Sequence, residues 1–365
     1  MTALRRVAVT GVGVVSPTGT GWTPLAAALA AGISLGADEP IPTWRGQEPR
    51  VRVARLAPFE RERHIPARSL RRMGSVSQIW TVASLMARDE AGLGGEGAAA
   101  HAPERRGVFM GTGFGCIDST WDYLLEMVRD GCGTTSPFLF SESVANAPSG
   151  HAAIELDARG PCISFTCGDA SAMAAVSRAA AAIRQGRIDV AYAGGVDLMV
   201  PPLLRVLAIL GLRFVGEGAV CLVLEDAAIA RRRGAPVLAE IAGTGMTSDP
   251  TVGPVQWSRD TSCHLRSMRA ALRAHDDERP ARVARACLQG APDTAAAVAE
   301  HDAAVLACPG ATLTRVSDVL GHFGASGGFS LAAAAMAACA GTGDQLVSGP
   351  SWGGAITCVR MAASK

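Results

Sequence analysis

The chain has 365 residues, enough for one large domain or two tightly joined ones. Charged residues make up 18% where roughly a quarter is usual, and hydrophobic residues make up 48%, so much of the chain is expected to be buried or in subunit contact. With 34 basic and 33 acidic residues the net charge is +1, which excludes an acidic disordered chain and gives no support to a nucleic-acid binder working through bulk charge.

From the N-terminus, Val7–Val15 is a nearly continuous β-branched run, as in a buried strand. Its short apolar length, broken by Gly11, Gly13 and Pro17, reads as a strand and turn and not as a signal peptide. Leu25–Ala31 and Ser75–Ala91 carry helical spacing, the second with Val76, Ile79, Trp80, Ala83, Leu85 and Met86 on its apolar side. Arg106–Met110 is a strand ending in the turn Gly111-Thr112-Gly113. Trp121–Val128 is an amphipathic helix, Ile163–Phe165 a strand, and Ala170–Gln185 a small-residue helix. Val190–Ala193 reads as a strand ended by Gly194-Gly195, and Ala219–Leu224 as another.

Arg231–Pro236 punctuates the chain. After it the pattern restarts: Val237–Ala242, followed by Gly243-Thr244-Gly245-Met246, repeats Val7–Val9 followed by Thr10-Gly11-Val12-Gly13. A duplication is expected, with halves at 1–233 and 234–365. Ser248–Asp260 reads as a loop and Arg273–Arg285 as a solvated helix–turn. The alanine-rich run Leu331–Ala340 is too short to span a bilayer. Ten cysteines without a CxxC pair, in a chain with no secretion signal, read as reduced thiols in a cytoplasmic protein, most of them small core hydrophobes.

Seven segments, in order, together resemble the β-ketoacyl synthases of the thiolase superfamily. They are RRVAVTGVGVVSPTGTG at the start, LRRMGSVSQI (70–79), SPFLFSESVANAPSGHAAIELDARGPC (136–162), IRQGRIDVAYAGGVD (183–197), FVGEGAVCLVLED (214–226), DVLGHFGASGG (318–328) and SWGGAITCVRM (351–361). The resemblance implies the thiolase fold, two similar α/β halves in a layered αβαβα sandwich. It also implies Claisen condensation, in which a cysteine at a helix N-terminus takes the acyl chain. Two histidines then assist decarboxylation of a malonyl carrier protein, and a lysine supports one of them.

This sequence departs from that set. Counted back without gaps from Gly186 and Ala193-Gly194-Gly195, the cysteine position falls on Asp169, within Thr166-Cys167-Gly168-Asp169-Ala170-Ser171. An aspartate forms no productive thioester; it can cap the helix, hold charge or polarise a bound group. Cys167 lies two residues early and reads as a core or pocket-wall thiol, with a shifted nucleophile as the alternative. The first histidine motif corresponds to Arg285–Asp293, where Pro292 and Asp293 fit its end and no histidine precedes them. His301, beyond it, reads as a surface residue. The lysine position falls on Ser317. His322 alone survives, either as pocket polarity or as a packed, hydrogen-bonded histidine.

Joint loss of cysteine, histidine and lysine resembles the chain-length factor, or ketosynthase β subunit, of type II polyketide synthases. The usual replacement there is glutamine, so Asp169 suggests a divergent branch. The resemblance implies a noncatalytic subunit, paired with an active ketosynthase α subunit, that shapes the acyl tunnel. The acyl chain would arrive as the phosphopantetheine thioester of an acyl carrier protein, with no metal and no cofactor of the chain's own. It would place Trp121, Tyr123, Leu124, Phe138 and Phe140 near the partner or the tunnel, with ordinary core aromatics as the plainer reading. Trp352 falls on the gating phenylalanine of the closing glycine-rich motif and is expected to plug the pocket. Arg61, Arg63, Arg68, Arg71 and Arg72 form one dense basic stretch, and Arg68, Arg71 and Arg72 suit docking of an acidic carrier protein or a merely solvated face. The rival activity is a ketosynthase-like acyltransferase or decarboxylase using Cys167 or Asp169 with His322. No nucleic acid or membrane partner is implied. Against the family the chain is short: the long loop between Gly195 and Gly216 and the first histidine motif are both expected to be trimmed.

Overall fold

In the computed structural model, residues 4–41, 50–273, 282–291 and 294–363 are described. Ten strands lie in the order Cys162–Phe165, Arg106–Gly111, Val190–Asp197, Gly218–Asp226, Val7–Ser16, Ala239–Ser248, Ala355–Ala362, Asp344–Pro350, Val283–Cys287 and Thr312–Thr314, with the short Gly19–Thr20 hairpinned onto Val7–Ser16. The two halves of this order mirror each other. In each, three parallel strands are followed by two antiparallel ones. Within the sheet, the ladder between the halves has two residue pairs among the described residues, Ala8↔Glu240 and Val9↔Ala239.

Two buried helices, Ser171–Arg184 and Ser326–Cys339, pack on each other and on strands of both halves, which makes them the central layer. Their alanine and glycine content permits this, because small side chains let helix and sheet backbones approach on both sides. Helix Ser75–Glu90 covers the outside of the N-terminal half and Thr261–Leu272 the outside of the C-terminal half. This is the αβαβα layering of the thiolase fold.

The glycines explain where strand ends differ from the sequence expectation. Val190–Asp197 runs straight through Gly194-Gly195, and Ala239–Ser248 straight through Gly243 and Gly245. These glycines are close-approach positions within strands, not turns. A Cβ at Gly13 would lie 1.9 Å from the Ala83 carbonyl oxygen of the covering helix, and one at Gly245 would lie 2.0 Å from that of Ser267. Gly11 and Gly243 meet Ala87 and Ala271 in the same way, each beside a bulge in the ladder.

Three further differences concern loops and helices. Between Gly195 and Gly216, read as a trimmed loop, the chain forms helix Pro201–Ile209, which buries Leu203, Leu204 and Leu207. The helix expected over Trp121–Val128 begins four residues earlier, at Ile117, and runs to Asp130. A small sheet joins Ala37–Pro40, Arg50–Ala54 and Phe214–Gly216. Of the charged run Arg273–Arg285, residues 274–281 lie outside the described residues, while Val283–Cys287 is a strand. Six of the ten cysteines are buried and the chain contains no disulfide among the described residues. No described helix is long and apolar enough to cross a membrane.

Candidate functional site

The strand Cys162–Phe165 leads into Thr166 and Cys167, then a 3-10 turn over Gly168–Ala170, then the central helix from Ser171. Two hydroxyls tie this turn down. The Ser171 Oγ accepts from the Cys167 N–H (2.8 Å) and can donate to the Gly168 carbonyl (2.7 Å), while Ser351 Oγ donates to the Cys167 carbonyl (2.7 Å). Gly168 adopts φ 61°, and a Cβ there would fall 1.8 Å from the Trp352 indole nitrogen. Only glycine therefore fits beneath Trp352.

Asp169 is 4% exposed and sits at the N-terminal end of the central helix, where the helix dipole favours an anion. Its Oδ2 accepts a hydrogen bond from Trp257 Nε1 at 2.7 Å. His322 Nε2 lies 3.1 Å from the same oxygen, an ion-pair contact without good hydrogen-bond alignment. His322 reaches this point because its own N–H donates to Phe214 of the small sheet and Gly321 before it turns at φ 79°. Burial alone would push the imidazole pKa down; the Asp169 carboxylate and, further off, Glu300 outweigh it, and the net direction is up. The two positions that the sequence analysis singled out as remnants of the condensing site thus touch each other as a buried pair.

An aromatic cluster closes over this pair. Trp257 and Trp352 stack with ring centroids 5.7 Å apart and 20° between planes. Phe114 meets Trp352 edge-on at 5.7 Å, and Trp257 meets His322 edge-on at 6.2 Å. Trp352 therefore lies directly over the Gly168–Asp169 turn. Trp257 was missed in the sequence, since it stands in the polar segment Ser248–Asp260 and only its backbone bridge to Trp352 brings it to Asp169.

Gln289 was also missed. It follows strand Val283–Cys287 in the segment read as lacking the first histidine, and it is buried. Its side-chain amide donates to the Leu288 carbonyl (3.1 Å) and to Ser330 Oγ. Glu300, fully buried on helix Ala295–Ala307, accepts from the backbone N–H groups of Gln289 (3.2 Å) and Gly290 (2.7 Å), and burial pushes its pKa up. The sequence signal was available: a Gln-Gly pair stands directly after an apolar strand. Ser317, at the lysine position, is buried. Pro292 and Asp293 lie outside the described residues.

Cys167 is exposed, and desolvation pushes its thiol pKa up, with no cationic or basic group acting to lower it. It is not paired with His322. His301 is exposed beside Asp302. Trp121, Phe138 and Phe140 are exposed, on helices Ile117–Asp130 and Pro137–Glu142, where Phe140 packs against Tyr123. Arg68, Arg71 and Arg72 are exposed on and just after the short helix Ala67–Leu70.

Chemically, Asp169 and His322 form a charge-compensated pair sealed by indoles. A carboxylate lacks the nucleophilicity and leaving-group behaviour that thioester exchange requires.

Comparison with known proteins agrees with the fold. The family "Beta-ketoacyl synthase, N-terminal domain" matches residues 4–208. The chain is 30% identical over 271 residues to 3-oxoacyl-(acyl-carrier-protein) synthase 2 of Coxiella burnetii, an alignment covering 67% of this chain and 64% of that protein. The chain thus spans somewhat under two thirds of that relative. Among solved structures, the ishigamide ketosynthase/chain length factor superimposes with a TM-score of 0.87 at 23% identity over 100% of both chains. A type II polyketide synthase acyl-carrier protein in complex with its ketosynthase bound to the hexaketide, AntDE:AntF, gives 0.85 at 19% identity, covering 99% of this chain and 100% of that one. At such identities these two likenesses bear on the fold alone, the layered fold shared by ketosynthases. The family match covers more than half of the chain, and the strand order and the Gly168–Asp169 turn at the head of the central helix accompany it: the chain belongs to the β-ketoacyl synthase family.

Proposed function

We propose that this chain is the noncatalytic β subunit, or chain-length factor, of a type II polyketide condensing complex. It pairs with an active ketosynthase α subunit and shapes the acyl tunnel, while the growing chain stays on the partner's cysteine and on the phosphopantetheine of an acyl carrier protein. The observation that carries this reading is the buried Asp169–His322 contact beneath Trp257 and Trp352, which occupies the place where an acyl-cysteine would form. Exposed apolar side chains support a partner. Trp121, Leu124, Phe138, Phe140 and Ile163 are all more than 40% exposed, and strand Cys162–Phe165 is a free sheet edge in the chain alone. Exposed Arg68, Arg71 and Arg72 suit an acidic carrier protein.

The test is acyl transfer from a labelled acyl carrier protein to the copurified complex, read by mass spectrometry of each chain. The expected label is on the partner alone. Acylation of Cys167 or Asp169 would overturn the reading in favour of an active acyltransferase. A second arm alters Trp121 and Phe138 in the complex: product length shifts if they bound the tunnel, and unchanged length removes them from that role.

A further inference from the structure

A cavity lies at the edge of the C-terminal half's sheet. Past an irregularity between Val283 and Arg285, side chains alternate over residues 285–287, so Ala286 packs outward in the cluster with helix Thr261–Leu272 while Arg285 and Cys287 face the other way. In register with them stand Gln345 and Thr314. Helices Trp22–Ala31 and Ser326–Cys339 cover this face but do not fill it. Where they converge they present Ala26, Ala30, Ala333, Ala334 and Ala337, and short side chains leave space between packed backbones. The result is a cavity of about 480 Å³, within the size range of small-molecule sites.

The cavity is lined by two kinds of residue. Leu29, Val316, Val319 and Met336 join the alanines in an apolar wall, while Arg285, Arg315, Thr314 and Gln345 stand on the strand side. The two guanidiniums are under-compensated. Arg285 has neither an ion pair nor a hydrogen bond among the described residues. Arg315 has its nearest carboxylate, Glu300, at 3.9 Å, and its Nε is buried without an acceptor. A half-buried guanidinium calls for an anion, and its planar fork matches a carboxylate in bidentate fashion. None of the cavity's lining residues belongs to the Asp169–His322–Trp257–Trp352 cluster.

We infer that this cavity is a binding site for an anionic amphiphile, a single aliphatic chain ending in a carboxylate, with the chain against the alanine-rich helices and the carboxylate on Arg285 and Arg315. The inference stands independently of the chain-length-factor reading.

Calorimetric titration of the full chain, with its partner where one is needed for solubility, uses dodecanoate below its micellar concentration and dodecylamine as the comparator. Saturable one-to-one binding of dodecanoate is expected, with none for dodecylamine. Arg285→Gln should weaken binding about tenfold, through loss of a charge-assisted pair. Ala337→Phe, which fills the cavity from the helix side and alters neither arginine, should abolish it, with circular dichroism reporting on folding. Absence of saturable dodecanoate binding to the wild type, equal binding of the amine, or undiminished binding to folded Ala337→Phe would each overturn the inference.

Discussion

Asp169 and His322 are both nearly inaccessible, and their contact has a thermodynamic consequence. Removing one partner of a buried ion pair leaves the other charge without compensation, so Asp169→Ala should lose about 3 kcal/mol of stability by urea denaturation, part of it from the orphaned Trp257 N–H. The pH dependence has a defined sign. Because the folded His322 pKa lies above its ordinary value of 6.5, the stabilisation is complete below that value and is lost as pH rises through the folded one. Asp197 acts in the same direction. Burial raises its pKa to about 7 despite hydrogen bonds from Thr112, Phe114 and Gly113, so stability falls between its ordinary value of 3.8 and about 7. As pH rises from 6.5 through the range in which the folded imidazole titrates, the urea midpoint of His322→Gln should be flatter with pH than that of the wild type. An unchanged slope would mean that the imidazole is not charged in the folded state.

At the scale of elements, two glycine-bearing strands each lie against the backbone of a covering helix. Substitution cannot be relieved by a rotamer change, since the obstacle is a main-chain carbonyl. Gly13→Ala and Gly245→Ala should each destabilise by about 3 kcal/mol or more, measured by chemical denaturation. Gly133→Ala, with nothing within 4 Å of its added Cβ, should change stability by less than about 0.5 kcal/mol. These strands also show what could be read in advance. The runs at Val7 and Val237 announced strands, and the first was read through its glycines, but the second was ended at Ala242, before Gly243, because a glycine that yields room for a distant helix looks the same in one dimension as a glycine that bends the chain. Helix Pro201–Ile209 was overlooked for a related reason: its Pro201-Pro202 start reads as a break, although proline suits the first helical turn.

Across the whole molecule, exposed apolar side chains occur on several elements, and one group of them, Trp121, Leu124, Val128, Phe138, Phe140 and Ile163, stands on Ile117–Asp130, Pro137–Glu142 and the edge strand Cys162–Phe165. If this face receives the ketosynthase α subunit, Phe140→Asp combined with Ile163→Asp should abolish copurification while leaving the melting temperature of the isolated chain nearly unchanged, since both side chains are exposed in it. Retained copurification would place the partner elsewhere. A low charge content is consistent with such a face, but composition alone could not say where it lies.

Sequence by itself determined the family, the layered α/β architecture and the absence of a cysteine at the head of the central helix, because these depend on local runs and on the order of segments. Only the tertiary structure decided what Asp169 does. Its partners, Trp257 and His322, are 88 and 153 residues away along the chain, and no local pattern encodes a contact formed when the two halves pack around a pair of central helices. The amphiphile-sized cavity is of the same kind: its alanines read as good helix formers, and only the packing shows that the space beside them is left unfilled.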